Sequence, residues 1–450
     1  MAERVMAEKK NFPILFGVLF FLFFTVVMLI AGMVGGVSLG ELLKNWQRGC
    51  FTVLEFTMLS ILLWMSIMCI VQAPPVGRLI RSLAGLVSTH ASAGLLIVFV
   101  SLILGWVNWF LGILFGLSLA REIARGNLGK GNKLHYPYLL SCALSASTVG
   151  LLGPLSPVQL YLADKAAHIG PAKALVPIYI SETVFSSVSL IITGILLVSL
   201  PIALYLMRPK GKDVSVIPDE QLKQPRPDEI VYYKPKPKGE AVLADKMEAS
   251  IFITVVTGLA GLASILYFLL FKGEPFTFRN AVFLLFMLAL LLNIRPVEFA
   301  IKMRETAKAS AYVPVLLLLG AGFATLTLGI GVYEQLSGPL AASGAFIPIF
   351  VLIFGFVLAL ALPEPSTLWV VAGPLVAGAC VAASQPVFLS VIALMCGFQL
   401  SRFFQPDYHL SLFGFSSAGD MSKYLKVTAV IAVIAYVVMI GVSSYAGFGQ

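Results

Sequence analysis

The chain has 450 residues, 59% of them hydrophobic and only 12% charged, and it carries a net charge of +9. Soluble domains have about 25% charged residues, so this composition cannot cover a water-facing surface and excludes a soluble globular protein. Basic residues lie in short segments between apolar runs, the distribution of the positive-inside rule, so the charge does not read as a nucleic-acid-binding face.

Apolar runs of about 20 residues, enough for a ~30 Å hydrocarbon core, recur along the chain, and none alternates as a barrel strand does. The fold class is therefore an all-α polytopic membrane protein. In chain order the full-length runs are 13–36, 51–71, 137–163, 174–207, 248–271, 277–293, 311–333, 386–417 and 424–447. Residues 1–12 are too few and too polar for a signal peptide, so the first run is expected to remain as a span. Two more stretches, 90–126 and 343–384, are apolar but interrupted, by Trp106-Val107-Asn108-Trp109 and by Pro363-Glu364-Pro365-Ser366-Thr367. Each reads as a hairpin that enters the membrane and returns on the same side, giving about nine transmembrane helices plus two re-entrant hairpins. Two separate spans joined by a buried tip are the alternative.

With the N-terminus in the cytoplasm, the inside segments hold 24 Lys and Arg and the outside segments 6. That bias supports a multi-pass inner-membrane protein whose C-terminus faces outside. Residues 208–247 are rich in Pro and charge, from Lys210 to Lys238, and read as a semi-extended cytoplasmic linker without its own core. The linker separates a first repeat, 1–207, from 248–450, which holds an extra span and a second repeat. An offset of about 258 residues places the span 51–71 on 311–333, Asn108 on Ser366, and Ser147-Thr148 on Gln405-Pro406. The extra span turns the second copy over, so inverted repeats with discontinuous helices are expected, a pattern of secondary transporters.

In lipid a helix broken at mid-membrane survives only inside protein or beside a water-filled cavity. Its half-helix N-terminus suits a carboxylate and its C-terminal carbonyls suit a cation. On this reasoning the candidate substrate ligands are Asn108, Trp109, Ser147, Thr148, Ser366, Thr367, Arg402 and Gln405. Candidates for ion coupling are Asn108, Ser145, Glu364 and Asp407. Ionisable residues inside apolar runs are functional candidates by default, and these are Glu55, Glu182, Glu364, Arg402, Asp407 and His409. The Arg402 fork either binds a substrate carboxylate or is neutralised by Glu364 or Asp407. Glu55 and Glu182 are either protonated, hydrogen-bonded carboxyls or parts of a proton relay. Five scattered cysteines show no metal or disulfide spacing, and no cofactor is expected beyond Na⁺ or H⁺ as coupling ion. No acid–base constellation suggests an enzyme.

At these breaks the chain resembles the short-chain fatty acid transporter family, the acetoacetate and butyrate permeases of a larger ion-transporter superfamily. The resemblance rests on Val107-Asn108-Trp109 with Gly112, Ala120-Arg121-Glu122-Ile123-Ala124-Arg125 and Tyr136-Pro137-Tyr138-Leu139-Leu140. It continues in Leu362-Pro363 ahead of Trp369 and Gly373-Pro374, and ends at Gln405-Pro406. It implies an elevator-type, inverted-repeat fold, commonly dimeric, that takes up short monocarboxylates with H⁺ or Na⁺. The chain departs from the family at the second tip, where Glu364 to Leu368 replace a Ser, a glycine run and a His. It departs again at Arg402, Asp407 and His409, where the family is mostly neutral or aromatic. Added charge there opens a second reading, a dicarboxylate or amino-acid-like zwitterion as substrate. A third is a non-transport membrane subunit that docks a partner through 208–247.

Overall fold

Where apolar residues run all round a helix, propensity cannot end it, and prolines and side-chain caps must supply the stops. The computed structural model shows where they act; it describes residues 2–163, 168, 170, 172–175, 177–211, 214–226, 229–230, 242–417 and 419–446. Every regular element among them is helical. The first part of the chain forms α1 (Ala2–Val34), α2 (Leu39–Cys50), α3 (Leu54–Val71) and α4 (Pro74–Gly85). Then come α5 (His90–Val107), α6 (Trp109–Leu128) and α7 (Tyr136–Leu144), a 3₁₀ turn over Ser145–Thr148, and α8 (Pro157–Tyr161). Short α9 (Ala172–Leu175) and α10 (Ile180–Thr183) lead to α11 (Ser187–Leu206). In the linker lie α12 (Asp219–Lys223) and α13 (Leu243–Glu248). The rest comprises α14 (Ile251–Phe271), α15 (Phe278–Leu292), α16 (Pro296–Ser310), α17 (Tyr312–Gly329) and α18 (Val332–Ala341). It ends with α19 (Ile347–Ala361), α20 (Pro365–Ala382), α21 (Val387–Ser401), a 3₁₀ turn over Arg402–Phe404, α22 (Pro406–Leu412) and α23 (Ser422–Ala446).

Ten helices among the described residues are long and apolar enough to cross a membrane. The expected run 137–163 is not among them, because it is divided into α7, the 3₁₀ turn and α8. Arms of both expected hairpins are among them, as His90–Val107, Gly344–Ala361 and Pro365–Ala382.

Two segments share one order: helix, tip, helix, then a helix that breaks into a 3₁₀ turn and resumes at a proline. In the first, α5 and α6 turn back on each other at Asn108, and a Cβ on Gly112 would stand 2.3 Å from the Gly105 backbone. Helix α7 runs parallel to α5, with Tyr138 against Gly94 and Ala146 against Gly105. In the second, α21 packs closely on α19, with Leu394 against Gly355 and the Leu352 carbonyl where a Gly397 Cβ would be, and it runs in the same direction, since Arg402 at its end reaches the Ala359 carbonyl near the end of α19. Only glycine permits that approach. The second tip is looser than the first, since α20 packs chiefly on α17 and α18 rather than on α19.

Part of the semi-extended linker is held against the first unit. Arg125 on α6 donates to the carbonyls of Gln221, Leu222 and Gln224 at 3.2, 3.0 and 2.7 Å, closing the C-terminal end of α12. Glu122 pairs with both Arg125 and Arg226, and Gln221 donates to the Gly414 carbonyl. Residues 214–226 thus strap the base of the first hairpin to the loop after α22. Prolines 235 and 237 fall outside the described residues.

Candidate functional site

The first tip is made by Asn108. Its extended backbone, with φ −158° and ψ 131°, interrupts the helical path. Its Oδ1 accepts from the Phe110 and Leu111 N–H groups at 2.9 and 3.2 Å, and its Nδ2 donates to the Leu155 carbonyl at 2.7 Å. The Val107 carbonyl accepts from the Leu155 N–H at 3.0 Å. Gly153 presses on the Trp106 carbonyl so closely that no side chain fits there. This tip is a clasp between α5, α6 and the broken stretch 149–156, and the Asn108 amide is satisfied within it, whereas Trp106 Nε1 and the Ser156 hydroxyl are buried without partners.

The second tip has the same plan with different chemistry. Proline 365 opens α20 without an N–H to satisfy, and Glu364 caps the helix. One carboxylate oxygen, Oε2, accepts from the Thr367 N–H at 2.6 Å and from its hydroxyl at 3.0 Å. The other, Oε1, is buried without a hydrogen-bond partner, and so is the Ser366 hydroxyl. At the C-terminal end of α19 the carbonyls are met by side chains from the second break. Arg402 Nη2 donates to the Ala359 carbonyl, and Gln405 Nε2 donates to that of Leu360 at 2.9 Å.

Arg402 is 3% exposed. Its Nε and Nη2 hold the Ser401 hydroxyl at 2.9 and 2.7 Å, and its guanidinium lies over the Phe398 ring. Its Nη1 has no hydrogen-bond partner, and no carboxylate of the described residues lies within ion-pair distance. The expected pairing of Arg402 with Glu364 or Asp407 is therefore absent. Tyr312, from the start of α17, and Tyr408 are each an electrostatic neighbour of both Arg402 and Glu364. Beyond Arg402 the buried His409 meets the edge of Trp109 at 6.0 Å, and Trp109 meets Trp64 at 5.7 Å. Trp64 in turn meets Tyr312 at 5.8 Å. These rings carry the contact from the second break to the first tip. The two broken helices also touch directly, where the Leu151 N–H donates to Gln399 Oε1 at 3.1 Å.

Of the sequence candidates, Glu364, Ser366, Thr367, Arg402 and Gln405 are brought together, and Trp109 reaches them through His409. Asn108 is committed to its cap and clasp. Ser145, Ser147 and Thr148 are buried in the first break, where the Ser145 and Thr148 hydroxyls bond back to carbonyls of their own turn. Asp407 stands apart. It is exposed, and with Asp420 and Lys426 it lines a peripheral cavity of about 370 Å³. Glu55 and Glu182 are not buried in spans. Glu55 is exposed and pairs with Arg279, and Glu182 is exposed and caps α10 through the Tyr179 N–H. Sequence reasoning missed Tyr312, Tyr408 and Gln399. Tyr312 reads as an interface anchor because it follows the charged α16, and Gln399 is a lone amide in an apolar run, a usable signal.

A family model described as "Short chain fatty acid transporter" matches residues 1–444. A "Putative short-chain fatty acid transporter" of Escherichia coli strain K12 is 26% identical over 405 residues, covering 88% of this chain and 89% of that protein. One of the same name from Haemophilus influenzae is 25% identical over 427 residues, with 90% of each covered. Neisseria gonorrhoeae MtrF, whose structure is described as illuminating a class of antimetabolite efflux pumps, superposes with a TM-score of 0.59. It does so at 14% identity, over 98% of this chain and 97% of that one. The Alcanivorax borkumensis YdaH transporter gives 0.55 at 16% identity, over 96% and 99%. At these identities the two structures speak for the fold alone.

Proposed function

The chain belongs to the short-chain fatty acid transporter family, and from that premise we propose that it is a secondary active transporter of a short-chain fatty or keto acid. Membership and the ten apolar helices make it a multi-pass membrane protein that carries a carboxylate. One observation carries the site assignment: a buried guanidinium, Arg402, with an uncommitted Nη1 and no acidic partner among the described residues. A buried cation without a counter-charge is costly, and a substrate carboxylate at the free Nη1 supplies that charge through charge-assisted hydrogen bonds. Tyr312, an electrostatic neighbour of Arg402, meets Trp64, which in turn meets Trp109, and such a ring cluster suits a short acyl chain.

In this reading the tips at Asn108 and Glu364 are re-entrant, the two units are inverted repeats, and they carry the site across as an elevator. The N-terminus lies in the cytoplasm of an inner membrane, as the basic residues favour, and a homodimer provides the static scaffold. The zwitterion alternative gains nothing from Asp407, which lies away from Arg402. The test is counterflow in proteoliposomes. Vesicles preloaded with unlabelled butyrate or acetoacetate should take up labelled acid faster than protein-free vesicles. Absence of counterflow across a panel of two- to six-carbon acids overturns the proposal.

A further inference from the structure

We propose that the coupling ion is a proton carried by Glu364, that Na⁺ has no part, and that net charge at the site enforces the coupling. This rests on the transport reading above and names the ion that reading leaves open.

A sodium ion bound at broken helices needs unwound carbonyls and half-helix C-terminal ends. Here protein donors hold several of those oxygens. In the second unit the Ala359 carbonyl is taken by Arg402 and that of Leu360 by Gln405. In the first, the Val107 carbonyl is taken by the Leu155 N–H, and that of Leu155 by Asn108. Gln159 takes the Leu151 carbonyl, and the Tyr436 hydroxyl takes that of Thr148. A carbonyl can accept twice, but at the second tip a second partner would lie beside a fixed guanidinium. Arg402 stands where the coupling cation of such a site would stand.

Glu364 has the opposite character. Two acidic side chains are buried among the described residues, Glu122 and Glu364. Glu122 is paired with two arginines. Glu364 makes no ion pair, and its Oε1 is uncommitted. The groups facing it are Tyr312 from α17, Tyr408 from α22 with Arg402 beyond, and Ser366 and Thr367 from its own helix.

Charge then selects which states cross the low-dielectric core. An empty site holds Arg402⁺ and Glu364⁻, with net charge zero. When the substrate anion binds Arg402 and a proton forms an O–H bond on Glu364, the site is again neutral. Anion alone leaves it at −1 and proton alone at +1, and a net charge in the bilayer is penalised. Only the empty and the doubly loaded forms move, so one H⁺ accompanies one anion. On the far side the O–H bond breaks, the proton passes to water, and the carboxylate is restored. Glu364→Gln leaves a site that is neutral when loaded and +1 when empty, which permits exchange but not net return.

Proteoliposomes test this with labelled butyrate, subtracting uptake by protein-free vesicles. An acid-outside pH gradient should drive accumulation in the wild type, whereas an inward Na⁺ gradient and a K⁺ diffusion potential should change it less than twofold. Glu364→Gln should lose net uptake at least tenfold and retain measurable counterflow. Accumulation driven by Na⁺, or net uptake by Glu364→Gln that still follows the pH gradient, overturns the inference. Should the variant fail to fold, the wild-type response to the two gradients decides alone. Absence of wild-type counterflow removes the transport reading itself, which separates the two failures.

Discussion

The two helix tips share a plan and differ in what they leave unsatisfied. At each, a side chain with a terminal oxygen caps the second helix, and donors from the broken stretch close the carbonyl end of the first. Asn108 uses its whole amide in doing so. Glu364 uses one oxygen of two, and the donor closing the far end is a guanidinium with a nitrogen to spare. A neutral amide can settle a break completely. On the proposed reading, the guanidinium and the half-used carboxylate at the second tip await a ligand and a proton to complete the set. In that proposal the first tip is a clasp and the second the working end.

The largest effect should come from Arg402→Leu. Filling the space with an apolar side chain of shorter reach removes the carboxylate partner and frees the Ala359 carbonyl. Losing two charge-assisted hydrogen bonds is worth about 3 kcal/mol, roughly a hundredfold in apparent affinity. Butyrate uptake should fall to the protein-free level, and the butyrate-induced rise in melting temperature should vanish. A variant that still binds butyrate would break the division between the tips at its strongest point.

Asn108→Ala should sit in the middle. It removes a cap worth about 1 kcal/mol and leaves the buried Leu155 carbonyl unmatched for another 1–3 kcal/mol. The expected result is a lower melting temperature with the same response of uptake to a pH gradient, per folded molecule. Asn108→Ser, which keeps the cap oxygen but not the clasp, should recover part of the loss. Altered coupling in either variant, read from pH-gradient-driven uptake, would make the first tip more than a clasp.

Much of this was legible in the sequence. Asn108 lies between two apolar stretches of helical length, and Pro363-Glu364-Pro365 allows no continuous helix, since proline both lacks an N–H and restrains its predecessor. Leu362 is accordingly extended, with φ −109° and ψ 97°. The polar stretch Ser145 to Pro157 likewise marks a real break. Less was legible in what each polar group does. A 258-residue offset sets Asn108 on Ser366, but the capping role belongs to Glu364, two positions earlier, because the tip prolines start α20 sooner. Tyr312 and Arg402 are 90 residues apart and meet only through packing. Glu55 and Glu182 sit in apolar surroundings along the chain, yet each falls at a helix start where the chain reaches the surface, a distinction of a few residues that hydropathy does not resolve.

Asp407→Asn should have the smallest effect and sharpens the comparison most cleanly. Both Asp407 and Glu364 stand next to a tip proline at a mid-chain break, and on sequence grounds both are candidates for ion coupling. Glu364 is 1% exposed and an electrostatic neighbour of Tyr312 and Tyr408, whereas Asp407 is exposed on α22 and lines a cavity with Asp420 and Lys426. Solvated carboxylates gain little from neutralisation and lose little by it, so the stability change should stay within about 0.5 kcal/mol. PH-gradient-driven uptake should match the wild type, with an unshifted melting curve. If Asp407→Asn instead uncoupled uptake from the gradient, proton carriage would belong to the peripheral cavity, and burial would no longer be what tells the two carboxylates apart.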